Sequence, residues 1–309
     1  MGASLSLPRI VFMGSPAFAV PVLQALAAAY PVVGVVTQPD KPAGRGRRPT
    51  PPAVKTAALA LGIPVMQPRR LRQPEAFEHL RAWQPDLIVV AAYGQILRPN
   101  VLALPRYGCL NVHASLLPRW RGASPIQHAI LHGDAQTGVT IMQMDEGMDT
   151  GPILSQRAWP ITEEDTAASL SDRLSTLGAA LLLETLPCYL EGRIRPHPQP
   201  EVGITYAPLL KKADGQLDFE RPAVALARQV RAFNPWPGAF TLWKGQPLKI
   251  HGAHAEALPS PGPGARLTVA GRPALGTAEG VLVLDQVQPA GKKPMAGEAF
   301  LRGARDWGE

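Results

Sequence analysis

Two short stretches hold the residues best suited to chemistry. The first reads Cys109-Leu-Asn-Val-His-Ala-Ser-Leu-Leu-Pro-Arg-Trp-Arg-Gly-Ala-Ser-Pro125. If its leading residues form a strand, Asn111 and His113 share a face, because side chains two apart point the same way. An Asn amide offers an uncharged N–H donor, and a His ring exchanges a proton near neutral pH. Such a pair suits a reaction in which a carbonyl oxygen gathers negative charge while a nucleophile sheds a proton. Spacing alone leaves a structural Asn and His as an equal alternative. The second stretch, Met144-Asp-Glu-Gly-Met-Asp-Thr-Gly151, is a carboxylate-rich loop after an apolar run. It lacks the D-x-D-x-D-G pattern of a calcium loop. A carboxylate there can orient an imidazole, but spacing does not say which of Asp145, Glu146 and Asp149 does so.

Other polar groupings point away from metals and thiols. His128 and His132 stand four apart, but Ala129 occupies the place of the Glu in H-E-x-x-H and no third ligand lies near. They read as the end of a helix closing at Gly133. Cys109 and Cys188 have no CxxC spacing, which argues against a disulfide framework or a thiolate site and fits a reducing cytosol. No metal is expected.

The elements that must position these residues are legible as alternation. Apolar runs at 9–13, 32–37, 64–66, 87–91, 109–112 and 139–144 predict strands, with helices at 16–29, 51–61, 74–83 and 123–131 and a long one over 165–190. This is the pattern of an α/β Rossmann-like, doubly wound parallel sheet, whose ligands bind outside the C-terminal ends of the strands. The first turn, Gly14-Ser15-Pro16, lacks G-x-G-x-x-G, and Pro16 removes an N–H that would face a phosphate, so NAD binding is disfavoured. Pro16, Pro21, Gln24 and Pro31 interrupt the apolar N-terminal stretch, which reads as folded rather than as a cleaved leader. No run reaches the ~18 apolar residues of a membrane span.

The 309 residues divide into a catalytic domain at 1–190, a linker at 191–208 carrying Pro196, Pro198 and Pro200, and a C-terminal small β-barrel, OB-like, at 209–309. With 46% hydrophobic and 18% charged residues the chain is neither disordered nor a coiled coil. The net charge of +7 suggests a polyanionic partner. It is concentrated in two places. The octet K-P-A-G-R-G-R-R supplies Lys41, Arg45, Arg47 and Arg48, and the chain from Ala207 onward has 13 Lys and Arg against 9 Asp and Glu. Trp236, in N-P-W-P, reads as a core residue.

The motifs N-V-H-A-S-L-L-P-R-W-R-G-A-S-P-I and M-D-E-G-M-D-T-G resemble the two signatures of the folate-dependent formyltransferases. R-I-V-F-M-G-S-P-A-F-A-V, T-Q-P-D-K-P-A-G-R-G-R-R, A-A-Y-G-Q-I-L-R-P and R-A-F-N-P-W-P-G narrow the resemblance to members whose acceptor is methionyl initiator tRNA. The resemblance implies that Asn111, His113 and Asp149 are catalytic and that Ser115, Leu116, Leu117 and Pro118 line the site of the donor, 10-formyltetrahydrofolate. It shifts the octet from a solvated loop to a tRNA contact, Arg45 above all. It also implies a bacterial cytoplasmic enzyme, expected to act as a monomer without a membrane. Two rivals keep the fold. An amino-sugar or glycinamide ribonucleotide acceptor would need neither the octet nor the basic C-terminal region, and a binding protein with a dead catalytic domain would not need the intact trio.

Overall fold

The computed structural model describes residues 7–43 and 48–308. Arg45 and Arg47 lie outside the described residues, and of Arg48 only the backbone is described. Two compact units are formed: one from residues up to Pro125, Thr137–Pro160 and Ser171–Ala207, the other from Ile126–Gln136, Ile161–Leu170 and the chain from Pro208 onward.

In the first unit the strands are β1 (Ile10–Gly14), β2 (Val32–Val36), a hairpin β3 (Lys41–Ala43) and β4 (Arg48–Thr50), β5 (Val65–Met66), β6 (Leu87–Ala91), β7 (Cys109–His113), a two-residue β8 (Arg121–Gly122), β9 (Gln136–Gln143), β10 (Ile153–Pro160) and β11 (Tyr206–Ala207). Helices α1 (Val20–Ala29), α2 (Ala53–Ala60), α3 (Pro74–Ala82), α4 (Pro99–Leu102) and most of α6 (Ala167–Leu190) intervene, while α5 (Pro125–Leu131) falls almost wholly in the second unit. The main sheet runs β10-β9-β7-β6-β1-β2-β5, parallel from β5 through β7. Strands β1, β6 and β7 are buried throughout, as apolar runs covered on both faces must be.

The sheet departs from the all-parallel expectation at one edge. Strand β9 is antiparallel to β7, with His113 opposite Thr140 and Leu110 opposite Gln143. Strand β10 returns beside it, Gln143 N donating to Pro152 O at 2.9 Å. The sequence did not announce β10 because this edge strand reads I-L-S-Q-R-A-W-P, with Ser155, Gln156 and Arg157 in succession breaking both an apolar run and a period of two. Gly14 ends β1 for a packing reason: a Cβ there would lie 2.8 Å from Ala19 Cβ and from Ala91 O. On the back of β7, α6 comes so close that a Cβ on Gly178 would meet Val112 Cγ1 at 2.7 Å. Val112 thus faces α6, while its neighbours Asn111 and His113 face the other way.

The second unit carries α7 (Ala223–Ala232), strands β12 (Ala239–Trp243), β13 (Gln246–Glu256), β14 (Arg266–Val269), β15 (Arg272–Gly276), β16 (Val281–Gln288) and β17 (Met295–Ala296), and α8 (Gly297–Gly303). Its sheet is antiparallel in the order β12-β13-β16-β15-β14, with β17 on β16. The core packs Leu226, Val230, Ile250, Leu284 and Phe300 with Trp307, whose Nε1 donates to Leu267 O at 2.9 Å. Trp243, Phe300 and Trp307 meet edge to face and fill the aromatic part of that core. Trp236 is therefore not a core residue, contrary to the sequence reading: it sits in the loop before β12, 50% exposed.

Candidate active site

Asn111 and His113 stand on one face of β7, 9% and 5% exposed. The loop after β9 folds back over that face and settles which carboxylate meets them. Asp149 Oδ1 accepts from Asn111 Nδ2 at 3.3 Å, and its Oδ2 lies 3.6 Å from His113 Nδ1. Oδ2 also accepts the Gly122 N–H at 2.8 Å. Asp145 instead turns inward on its own loop, its Oδ1 accepting from Gly147 N at 3.0 Å and Thr150 Oγ1 at 2.7 Å. Glu146 is exposed. The backbone of Asp149 is left-handed, φ 54°, a conformation that costs a non-glycine residue ~1–2 kcal/mol and that Asp tolerates better than most.

The far side of the His113 ring is also engaged: Nε2 lies 3.0 Å from Trp120 O. A ring bearing protons on both nitrogens satisfies both acceptors, and a neutral ring satisfies one. Trp120 aims its carbonyl inward through a left-handed backbone, φ 62°, and Arg119 stacks over its indole at 4.3 Å. Its N–H is held by Thr205 Oγ1 at 2.9 Å.

The turn between β7 and β8 is built on Thr140, which is fully buried opposite His113. Its hydroxyl donates to Ser115 O at 2.7 Å and accepts from Leu117 N at 3.1 Å and Gln156 Nε2 at 2.9 Å. Of the four residues expected to line a folate site, Ser115 is buried and donates to Arg119 O at 2.6 Å, and Leu117 packs against Met142 and Ile153. Leu116 and Pro118 keep part of their apolar surface exposed. Ile96, just beyond β6, is 78% exposed. Lys41 and Pro42 of the octet pair with Thr50 and Pro49 in the exposed β3–β4 hairpin.

Burial pushes the Cys109 thiol up to about 12, so it stays protonated near neutrality. Among the described residues no group of three or more His, Cys, Asp and Glu could hold a metal ion. The arrangement offers a neutral donor, a proton-exchanging ring and a carboxylate joined to both.

Residues 8–186 match the Formyl transferase family, and residues 209–305 match the Formyl transferase, C-terminal domain family. The methionyl-tRNA formyltransferase of Myxococcus xanthus is 52% identical over 97% of this chain and 96% of its own length. That of Halorhodospira halophila is 53% identical over 96% of each. The chain belongs to the formyltransferase family. The fold of this formyltransferase is shared more widely, at TM-score 0.67 and 18% identity with WlaRD, a sugar 3N-formyl transferase solved in the presence of dTDP and 5-N-formyl-THF, covering 93% of this chain and 99% of that one. HypX from Aquifex aeolicus, solved in complex with tetrahydrofolic acid, gives 0.63 at 19% identity; the match covers 96% of this chain and about half (47%) of HypX.

Sequence reasoning missed three residues that shape the site of this formyltransferase: Thr140, Arg121 and Gln199. Thr140 lay inside an apolar run, where a lone hydroxyl between Val139 and Ile141 was the available signal. Arg121 and Gln199 meet across 78 residues, and no local pattern announces that contact.

Proposed function

We propose that this formyltransferase moves the formyl group of 10-formyltetrahydrofolate to the α-amino group of methionine esterified to initiator tRNA. The observation that carries the reading is the Asp149 carboxylate, shared between Asn111 and His113 on one buried face. The methionyl-tRNA formyltransferases matched at about half identity over nearly the whole chain support this acceptor.

Asn111 uses one amide hydrogen on Asp149 and has a second to donate to the formyl oxygen as negative charge gathers there. Loss of such a donor costs ~3–4 kcal/mol of transition-state stabilisation. Attack by the amine leaves its nitrogen protonated, and the Asp149–His113 pair takes that proton. With Trp120 O on one side and Asp149 on the other, the ring bears the added charge without rearranging. The pair then returns the proton to the departing folate nitrogen, so that one N–C bond forms, one breaks and the proton balance is zero. The donor supplies an activated one-carbon unit. Leu116 and Pro118 keep apolar surface suited to its flat ring system.

Lys41, Arg45, Arg47 and Arg48 bear on the acceptor end of the tRNA, where guanidinium groups contact phosphates and stack on bases. The basic C-terminal unit adds contacts with phosphates. The enzyme acts as a cytoplasmic monomer, all three catalytic side chains coming from one chain; no described helix is long and apolar enough to cross a membrane.

The test offers the protein 10-formyltetrahydrofolate with, in turn, charged initiator tRNA, a nucleotide-linked amino sugar and glycinamide ribonucleotide. Formyl-methionine on tRNA alone is expected; formylation of either small acceptor in its place overturns the reading. Replacing Asn111 or His113 by Ala lowers kcat about a hundredfold or more with little change in KM. Near-wild-type turnover removes that residue from the mechanism.

A further inference from the structure

We infer that Gln199, oriented by Arg121, is a positioning residue for the catalytic carboxylate. This rests on the assignment of Asp149 above.

Gln199 lies in the proline-rich stretch read as linker, yet its side chain reaches the loop after β9. Its Nε2 lies 2.8 Å from Asp149 O and 2.8 Å from Gly151 O, one hydrogen for each carbonyl. Its Oε1 accepts from Arg121 Nε at 3.0 Å and Nη2 at 2.7 Å. A guanidinium has only donors, so it fixes which way round the amide sits, with Oε1 toward Arg121 and Nε2 toward the two carbonyls. Arg121 is buried, and its main chain is tied down by Arg121 N donating to Thr205 O at 2.9 Å.

The same short strand therefore grips Asp149 at two points. The Gly122 N–H holds the carboxylate directly, and the Arg121 guanidinium holds the Asp149 carbonyl through Gln199. A left-handed aspartate persists only where its surroundings over-determine it, and these contacts supply that constraint. Gln199 touches no reacting atom. Its effect on catalysis runs through where Asp149 stands relative to Asn111 and His113.

The decisive variant is Gln199→Glu, almost the same shape, which keeps an acceptor for Arg121 but turns a carboxylate oxygen toward two carbonyl oxygens. We expect kcat for charged tRNA to fall about tenfold or more while KM for tRNA and folate stays within about twofold, since small misplacement of a catalytic group costs rate before affinity. Arg121→Lys, which keeps the charge but loses the fork, gives a smaller loss in the same direction. The variants are then compared in single turnover, with enzyme in excess, in wild-type and Asp149→Asn backgrounds. If Gln199 acts through the Asp149 carboxylate, Gln199→Glu adds less than about twofold once that carboxylate is gone. The same fold-loss in both backgrounds, or a raised KM with unchanged kcat, overturns the inference. Near-wild-type activity in Asp149→Asn alone would instead overturn the catalytic assignment, whereas a dead Asp149→Asn beside a fully active Gln199→Glu would overturn only the role of Gln199.

Discussion

The stretch from Pro196 to Ala207 and the hairpin from Lys41 to Thr50 are alike as sequence. Both are proline-bearing and irregular, and neither has a hydrophobic period. In the fold they pair differently. The hairpin strands pair with each other in a separate two-stranded sheet. The 196–207 stretch is bound into the first unit near both ends: His197 and Ile153 exchange backbone bonds of 2.8 and 2.9 Å, Gln199 grips the Asp149 loop, Thr205 holds Trp120 and Arg121, and β11 runs parallel to β8. One segment holds the loop of Asp149; the other is the one proposed above to meet the tRNA. Proline content alone does not separate a tether from a wall. What marks the 196–207 stretch is that its donors and acceptors find partners far along the chain.

The sharpest way to break this comparison is Gly122→Ala. Gly122 has φ 118°, and a Cβ there would lie 2.7 Å from Ala207 O, so the methyl would force β8 and β11 apart. Backbone strain of this kind costs ~1–3 kcal/mol, and the displaced N–H releases Asp149 as well. Denaturant melts should show the loss of stability and kcat should fall with it; an unchanged melt would mean that the 196–207 stretch is only loosely attached.

Arg45→Ala probes the other segment and should leave the melt alone. It is expected to slow formyl transfer to charged tRNA about tenfold, beyond any loss of affinity, while formylation of a small model amine is unaffected. Equal impairment of both reactions would place Arg45 in support of the active site and erase the contrast. The smallest effect belongs to Asp145→Asn. An amide oxygen still accepts from Gly147 N and Thr150 Oγ1, so turnover should fall less than about threefold, against the large loss expected for Asp149→Asn. Steady-state kinetics of the two variants side by side check the order.

The legibility of this molecule follows the range of its interactions. Asn111 and His113 could be paired from sequence because a strand's period of two is local, and the central strands announced themselves as unbroken apolar runs. The choice among Asp145, Glu146 and Asp149 could not be made, because it depends on how a loop after an antiparallel strand folds back across β7. The resemblance singled out Asp149, and the geometry brings that side chain to both partners. Strand β10 was hidden by the polar run Ser155-Gln156-Arg157, which breaks its period, and Trp236 was misread because burial depends on which aromatics the core already holds. The contact of Gln199 with the Asp149 loop was invisible for the same reason: a glutamine that completes a contact 50 residues away looks like any other polar residue.

Cys109 opens β7, two residues before Asn111, with only 1% of its surface exposed and its proton held by burial. An oxidant or alkylating agent acts on the thiolate, and here almost none exists to be attacked. Cys188, half-buried on α6, is the thiol such reagents would find first. The strand that carries Asn111 and His113 is thus shielded from redox chemistry at its one sulfur, and formyl transfer is expected to continue through oxidative conditions that silence enzymes dependent on a reactive cysteine.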